Sequence, residues 1–235
     1  MIFINFFGRI VKIIQKEERA LKKLVLKTIG ITLAGIIALG VILFGIFALF
    51  SPKTIANVAD KMGNYSVSVS FYEKNYNKTE SLEDLYGLIV KLDAENDGAR
   101  TAKYCKIMFK PENSGKVAVF MNKKDSELDK SAVKTKEYVY AKYAIGLASQ
   151  NTLSKTNECM QVCFNYITAD GYTINNPLTM LVSGYASKME KELLQATLTY
   201  ISQEESKGLY SNLDSSEISR LIKDKNAIKE IIETK

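Results

Sequence analysis

The sequence predicts an all-α protein in two parts, a membrane-crossing helix near the N-terminus and a larger domain of short amphipathic helices. Three observations carry this expectation. Residues 28–50 hold no charge, no Asn and no Gln. Beyond them, apolar residues recur at helical spacing between polar turns. From Pro177 onward there is almost no strand signal. An α+β alternative stays open at this stage. Ser66-Val-Ser-Val-Ser70 alternates with period two, and residues 104–121 can be read as a hairpin around Pro111-Glu-Asn-Ser-Gly115.

Residues 1–27 form a basic, amphipathic segment. Phe3, Phe7, Ile10, Ile14, Leu21 and Leu24 recur at helical spacing beside a stripe of Lys12, Lys16, Arg19 and Lys23. Two readings stay open: a helix lying on an anionic leaflet, or a continuation of the membrane helix into the cytoplasm. Seven basic residues against Glu17 and Glu18 give this segment +5, leaving only +1 of the chain's +6 for the rest. The basicity therefore belongs to the membrane flank, and nucleic acid is not an expected partner. Basic residues flanking a span stay on the cytoplasmic side, so residues 51–235 are expected to be extracytoplasmic.

The 23 residues of 28–50 would make a helix of about 34 Å, enough for the ~30 Å hydrocarbon core. A cleaved signal peptide has a shorter apolar region and a small-residue cleavage site, whereas this run ends in Phe47-Ala-Leu-Phe50. A permanent single-pass anchor is the expectation. Gly30, Ala34, Ala38, Gly45 and Ala48 fall near one helical face, where small residues permit close helix contact and a homo-oligomer through the membrane.

Ser51-Pro52 pairs an N-cap with a first-turn proline, so a helix should begin directly beyond the span. Polar turns follow at Gly63-Asn64, Asn77-Lys-Thr79, Asn96-Asp-Gly98, Pro111–Gly115, Gly171 and Asn175-Asn-Pro177. Ser81 with Asp84, Ser126 with Asp129 and Asp214 with Glu217 have capping-box spacing, and Asn176-Pro177 is a further start. Later helices are expected over 136–148, 154–167, 177–202 and 215–234.

Few chemical constellations are available. With no histidine, the chain holds no Ser-His-Asp triad, no Cys-His pair and no His-ligated metal. It contains no phosphate-cradling glycine loop. Cys159 and Cys163 are one helical turn apart and, with Cys105, read as small core residues. Asp93-Ala-Glu-Asn-Asp97-Gly98 opens like a calcium loop, but Tyr104 stands where the closing carboxylate belongs, so an inter-helix turn is expected. No cofactor or metal is implied.

Gly63, Tyr65, Ser68 and Tyr72, with Ile55, Ala56 and Ala59 before them, resemble a tetratricopeptide repeat: a Gly and an aromatic at the inter-helix turn, then a small residue and an aromatic four apart. A second copy follows about 33 residues on, with Leu85, Leu88, Ile89 and Leu92 on its first helix, Gly98 in the turn, and Thr101, Cys105 and Met108 on its second. The chain departs from the family in having no Trp, in Asn75, and in lacking the closing proline. The resemblance covers residues 51–110 and implies an α-solenoid of antiparallel helix pairs. It also implies a peptide-binding groove near Lys53, Asn57, Asp60, Glu83, Tyr86 and Val90. Lys53 and Asn57 match two residues of a carboxylate clamp, but Gly87 occupies the place of a third.

The functional expectation is a membrane-anchored scaffold or adaptor whose partners are the lipid bilayer and other envelope proteins, and not an enzyme. An accessory subunit or receptor of a protein-translocation machinery is the alternative. An envelope enzyme without recognisable motifs is the third reading. The small-residue face makes a direct prediction. Ala34→Ile should abolish self-association of the isolated span and of the full chain in a bilayer, while Ile36→Leu should not. Wild-type behaviour of both variants, or no association at all, would reduce residues 28–50 to a passive anchor.

Overall fold

The computed structural model describes the backbone of residues 2–127 and 133–235, with side chains for 22–46, 51–127 and 133–235. It is all-α, with no strand among the described residues. The chain separates into two compact units, Met1–Ile55 and Ala56–Lys235.

The first unit is dominated by α1, Ile2–Phe50, whose backbone runs as one helix through the boundary expected at residue 27. Within it Lys22–Ile46 is a 25-residue stretch long and apolar enough to cross a membrane. Lys22, Lys23 and Lys27 precede the uncharged run, and their long stems can carry their charges to the headgroups. The Thr28 hydroxyl donates to the Leu24 carbonyl at 3.0 Å, so that polar group is satisfied within the helix. The stripes expected on residues 3–21, and Ala48, involve side chains outside the described residues.

Among the described residues, six helices of the second unit begin at a residue whose side chain caps them. After α2 (Pro52–Lys61), α3 (Tyr65–Thr79) starts at Asn64, whose side chain accepts from the Val67 amide at 3.3 Å. Ser81 caps α4 (Leu82–Ala94), and Asp97 caps α5 (Gly98–Met108). A 3-10 turn, Pro111–Asn113, leads into α6 (Ser114–Ser126). Then follow α7 (Thr135–Ala148), α8 (Leu153–Asp170) and α9 (Pro177–Gly184), with Asn176 accepting from the Leu178 and Thr179 amides. The last helices are α10 (Lys191–Ser206) and α11 (Ser215–Glu233), the latter started by a complete capping box between Asp214 and Glu217.

Main packing contacts join near neighbours in the chain: α4 with α3 and α5, α5 with α7, α7 with α8 and α9, α8 with α10, and α11 with α9 and α10. The core follows these seams, with Leu85, Leu88, Ile89 and Leu92 from α4, and Cys159, Met160, Cys163 and Ile167 from α8. At the crossing of α5 and α7 a Cβ on Gly146 would stand 2.6 Å from the Gly98 carbonyl oxygen and 3.1 Å from the Ala102 nitrogen. Gly146 weakens α7 as a helix but lets two backbones meet.

Several expectations are corrected. Residues 104–121 are not a hairpin: they close α5, pass the Pro111 turn and run down α6. Burial of Thr101, Ala102, Tyr104, Cys105 and Met108, then of Val117 and Met121, follows helical spacing, and that packing overrides the local alternation. Ser66–Ser70 is likewise helical, because α3 buries Ser68, Val69, Phe71, Tyr72 and Asn75 along one side. Asn77-Lys-Thr79 is the last turn of α3, and the chain turns at Glu80 with φ 49°. The helix expected over 177–202 is broken after Gly184, which lets Ala186 and Met189 enter the core. Ser126 ends α6 instead of starting a helix, and Asp129 lies outside the described residues.

The α5–α7 crossing predicts that Gly146→Ala lowers the stability of the full chain. Overpacking against backbone costs about 1–3 kcal/mol, more than the ~1 kcal/mol helix propensity returned. A Cβ at Gly115 meets nothing within 4 Å, so thermal unfolding of Gly115→Ala should match or exceed that of the parent.

Candidate functional site

The predicted groove residues are distributed over α2 and α4, and most are engaged within the fold. The Asn57 side chain accepts from the Tyr72 hydroxyl at 2.7 Å. Asp60 is paired with Lys91 at 2.5 Å. These two bonds tie α2 to α3 and to α4. Glu83 pairs with Lys124 on α6 at 2.8 Å. The ring of Tyr86 meets Phe120 and Tyr138 edge-on, with centroids 5.8 and 6.4 Å away. Val90 is half-buried on α4. Lys53 belongs to the first compact unit. The face of α4 therefore presents Glu83, Tyr86 and Val90 together, bordered by α6 and α7. Gly30, Gly45, Ala34 and Ala38 are exposed or half-buried along α1, and a Cβ at either glycine would meet nothing within 4 Å.

A better-formed site lies between α5, α6, α7 and α8, a cleft of about 460 Å³. Met108, Val117 and Met121 are buried along it. Its aromatic wall joins Phe109 to Tyr140 at 4.0 Å between centroids, and Tyr140 to Tyr166 at 5.2 Å. Its carboxylates and Lys136 already make bonds within the fold. The Asp125 carboxylate accepts from the Thr135 amide at 2.6 Å. Glu137 accepts from the Lys134 amide at 3.3 Å and from the Tyr166 hydroxyl at 3.5 Å. Lys136 reaches both oxygens of Asp170, at 2.7 and 2.6 Å. Burial pushes the Tyr140 and Tyr166 phenols up, reinforced by Asp170 and by the Glu137 and Asp170 carboxylates respectively, so both remain neutral donors.

This arrangement can seat an apolar or aromatic side chain against a charged rim. Each of its three carboxylates already accepts at least one hydrogen bond within the fold. A more open groove of about 1150 Å³ runs past the α4–α5 turn, α7 and α9, where Lys142 pairs with Asp93 at 2.7 Å. Asp97, read as part of an inter-helix turn, caps α5 through the Arg100 amide at 3.1 Å. Among the described residues no group of His, Cys, Asp and Glu has the geometry to hold a metal.

Sequence reasoning missed the Phe109–Tyr140–Tyr166 wall. Tyr140 and Tyr166 come from α7 and α8 and Phe109 directly follows α5, and the repeat resemblance ends near residue 110. A denser run of tyrosines over 138–143 was the available signal.

The cysteines are fully buried, Cys105 on α5 and Cys159 and Cys163 on α8. Burial raises the Cys105 thiol, and a hydrogen bond with Cys159 followed by burial raises Cys163. Thiols so placed are poor nucleophiles. In the folded full chain a maleimide should modify none of the three, and all three should react in denaturant; rapid modification of any one without denaturant would contradict the core described here. A scan against protein-family models and searches of curated proteins and of solved structures find no match to this chain.

Proposed function

We propose that the chain is a single-pass, membrane-anchored adaptor, in which α1 fixes a helical domain at the extracytoplasmic face and that domain binds other envelope proteins. The observation that carries this reading is the Lys22–Ile46 stretch, no part of which is buried by the rest of the chain. An exposed apolar surface of that length requires a lipid or protein solvent. The +5 flank supports the orientation.

Neighbour-to-neighbour packing from α3 to α5 and from α7 to α8 supports a stack of helix pairs like that of tetratricopeptide proteins. Such stacks present extended faces to peptides. Glu83, Tyr86 and Val90 on α4 form the first surface to test, and the Phe109–Tyr140–Tyr166 cleft the second. The commitment of the cleft carboxylates to backbone and ion-pair bonds favours binding over catalysis.

Protease added to right-side-out vesicles should degrade the chain beyond Phe50, and protection of the domain would overturn the orientation. A photo-crosslinking residue at Glu83 or Val90 should capture the same envelope protein in native membranes, whereas one at Ile174 should not. Equal capture from all three positions, or none, would count against an α4 binding face. Recovery of a protein-conducting channel as the captured partner would move the assignment to a translocation subunit.

A further inference from the structure

Nine large apolar side chains of the second unit are exposed among the described residues, and four of them fall within ten positions. These are Val58, Met62, Tyr65 and Val67, with 52, 78, 49 and 37% of their surface accessible. The other five are scattered singly from Val119 to Ile222. Isolated exposed hydrophobes are ordinary, but a run of them at one corner is not.

The corner is built rather than loose. Val58 is on α2, and Met62, the residue after the helix, lies one turn on, its amide donating to the Val58 carbonyl at 3.0 Å. The chain then reverses at Gly63, whose φ of +71° suits glycine, with the Gly63 amide donating to the Asp60 carbonyl at 2.9 Å and the Asn64 amide to Ala59 at 2.8 Å. Asn64 caps α3, fixing Tyr65 and Val67 in its first turn. The inward sides of the same helices are filled separately, by Ala56 and Ala59 from α2 and by Ser68, Val69 and Tyr72 from α3. The four exposed side chains are therefore surplus to the domain's own core.

Chain length limits what can cover them. One residue, Ser51, separates α1 from α2. The two steps across Ser51 reach at most ~7 Å, a ten-residue helix is about 15 Å long, and the three steps from Met62 to Tyr65 add at most ~10 Å. Whatever the disposition of the two units, the chain keeps the corner within about 32 Å of the end of α1. Its composition suits a lipid interface: a tyrosine with an apolar body and a polar tip, three aliphatic or thioether side chains, and the exposed basic Lys61.

We infer that the α2–α3 corner seats in the headgroup region of the leaflet through which α1 leaves the membrane, a second and non-spanning contact. The inference rests on the reading of α1 as an anchor, and the two are separable because the chain has no tryptophan. Single-reporter variants Met62→Trp, Tyr65→Trp, Leu39→Trp and Ile174→Trp of the full chain are reconstituted in phosphatidylcholine–phosphatidylglycerol vesicles carrying spin-labelled lipids. Far-UV circular dichroism matching the parent selects variants that fold, and the two corner positions serve as alternates for each other.

Met62→Trp and Tyr65→Trp should show blue-shifted emission, quenched more by a label near the headgroup than by one at the acyl terminus. Leu39→Trp should show the reverse preference, and Ile174→Trp should be quenched by neither. If Leu39→Trp is quenched while both corner reporters behave like Ile174→Trp, the corner contact is overturned and the anchor stands. If Leu39→Trp is not quenched, the anchor reading fails and the corner contact fails with it.

Discussion

At the crossing of α5 and α7 the helices approach until a Cβ built on Gly98 would lie 3.4 Å from the Gly146 Cα, and one built on Gly146 would strike the Gly98 carbonyl. Little else in the domain is so tightly constrained. Helix α7 is buried on most of its circumference, with Val139, Ala141, Ala144, Leu147 and Ala148 at 2% exposure or less. Small side chains on it bring α5, α8 and α9 close, so dispersion contacts accumulate over long seams. Helix α4 reaches this centre through α5, and α10 and α11 reach it through α8 and α9.

Farther from that seam, polar ties replace close packing. Helix α11 is held to the α8–α9 connection by one cluster. The Asp224 carboxylate accepts from the Tyr172 hydroxyl at 2.7 Å and from Thr179 at 2.5 Å. Glu217 accepts from the Tyr172 amide at 2.7 Å while also closing its own capping box, and Arg220 donates twice to the Tyr172 carbonyl. Burial followed by the Asp224 charge pushes the Tyr172 phenol up, so it remains a donor. Lys225 spans both oxygens of Glu205 on α10 at 2.7 and 2.6 Å. Burial alone would raise Glu205, but the bonds from Lys225 and Tyr210 outweigh it and hold that carboxyl below its ordinary range. Losing either partner leaves a largely buried charge unpaired, which is more costly than the net worth of the bond.

Much of this architecture is legible in the residues. Asn64, Ser81, Asp97, Asn176 and Asp214 announce helix starts through short side chains that can reach an amide two or three positions on. The uncharged run of α1 and the buried thiols of α8 needed only hydropathy and spacing. Failures came where long-range packing outvotes local pattern. Nothing near Val117 or Met121 in sequence says that α6 will bury them, and nothing near Gly184 says that Ala186 and Met189 will fill a gap. The groove residues show the same limit. Their helix positions were readable, but the pairings Asp60–Lys91 and Glu83–Lys124 span roughly thirty to forty residues and depend on how the helices stack.

The central claim is that the α5–α7 crossing organises the domain and that the outer helices depend on it. Native-state hydrogen exchange of the full chain in a bilayer tests this most directly, because it ranks helices by the free energy needed to open them. The account predicts that the slowest amides lie in α5 and α7 and exchange only on global unfolding, with α2 and α11 opening earlier. Exchange from α5 or α7 ahead of α10 and α11 would contradict it.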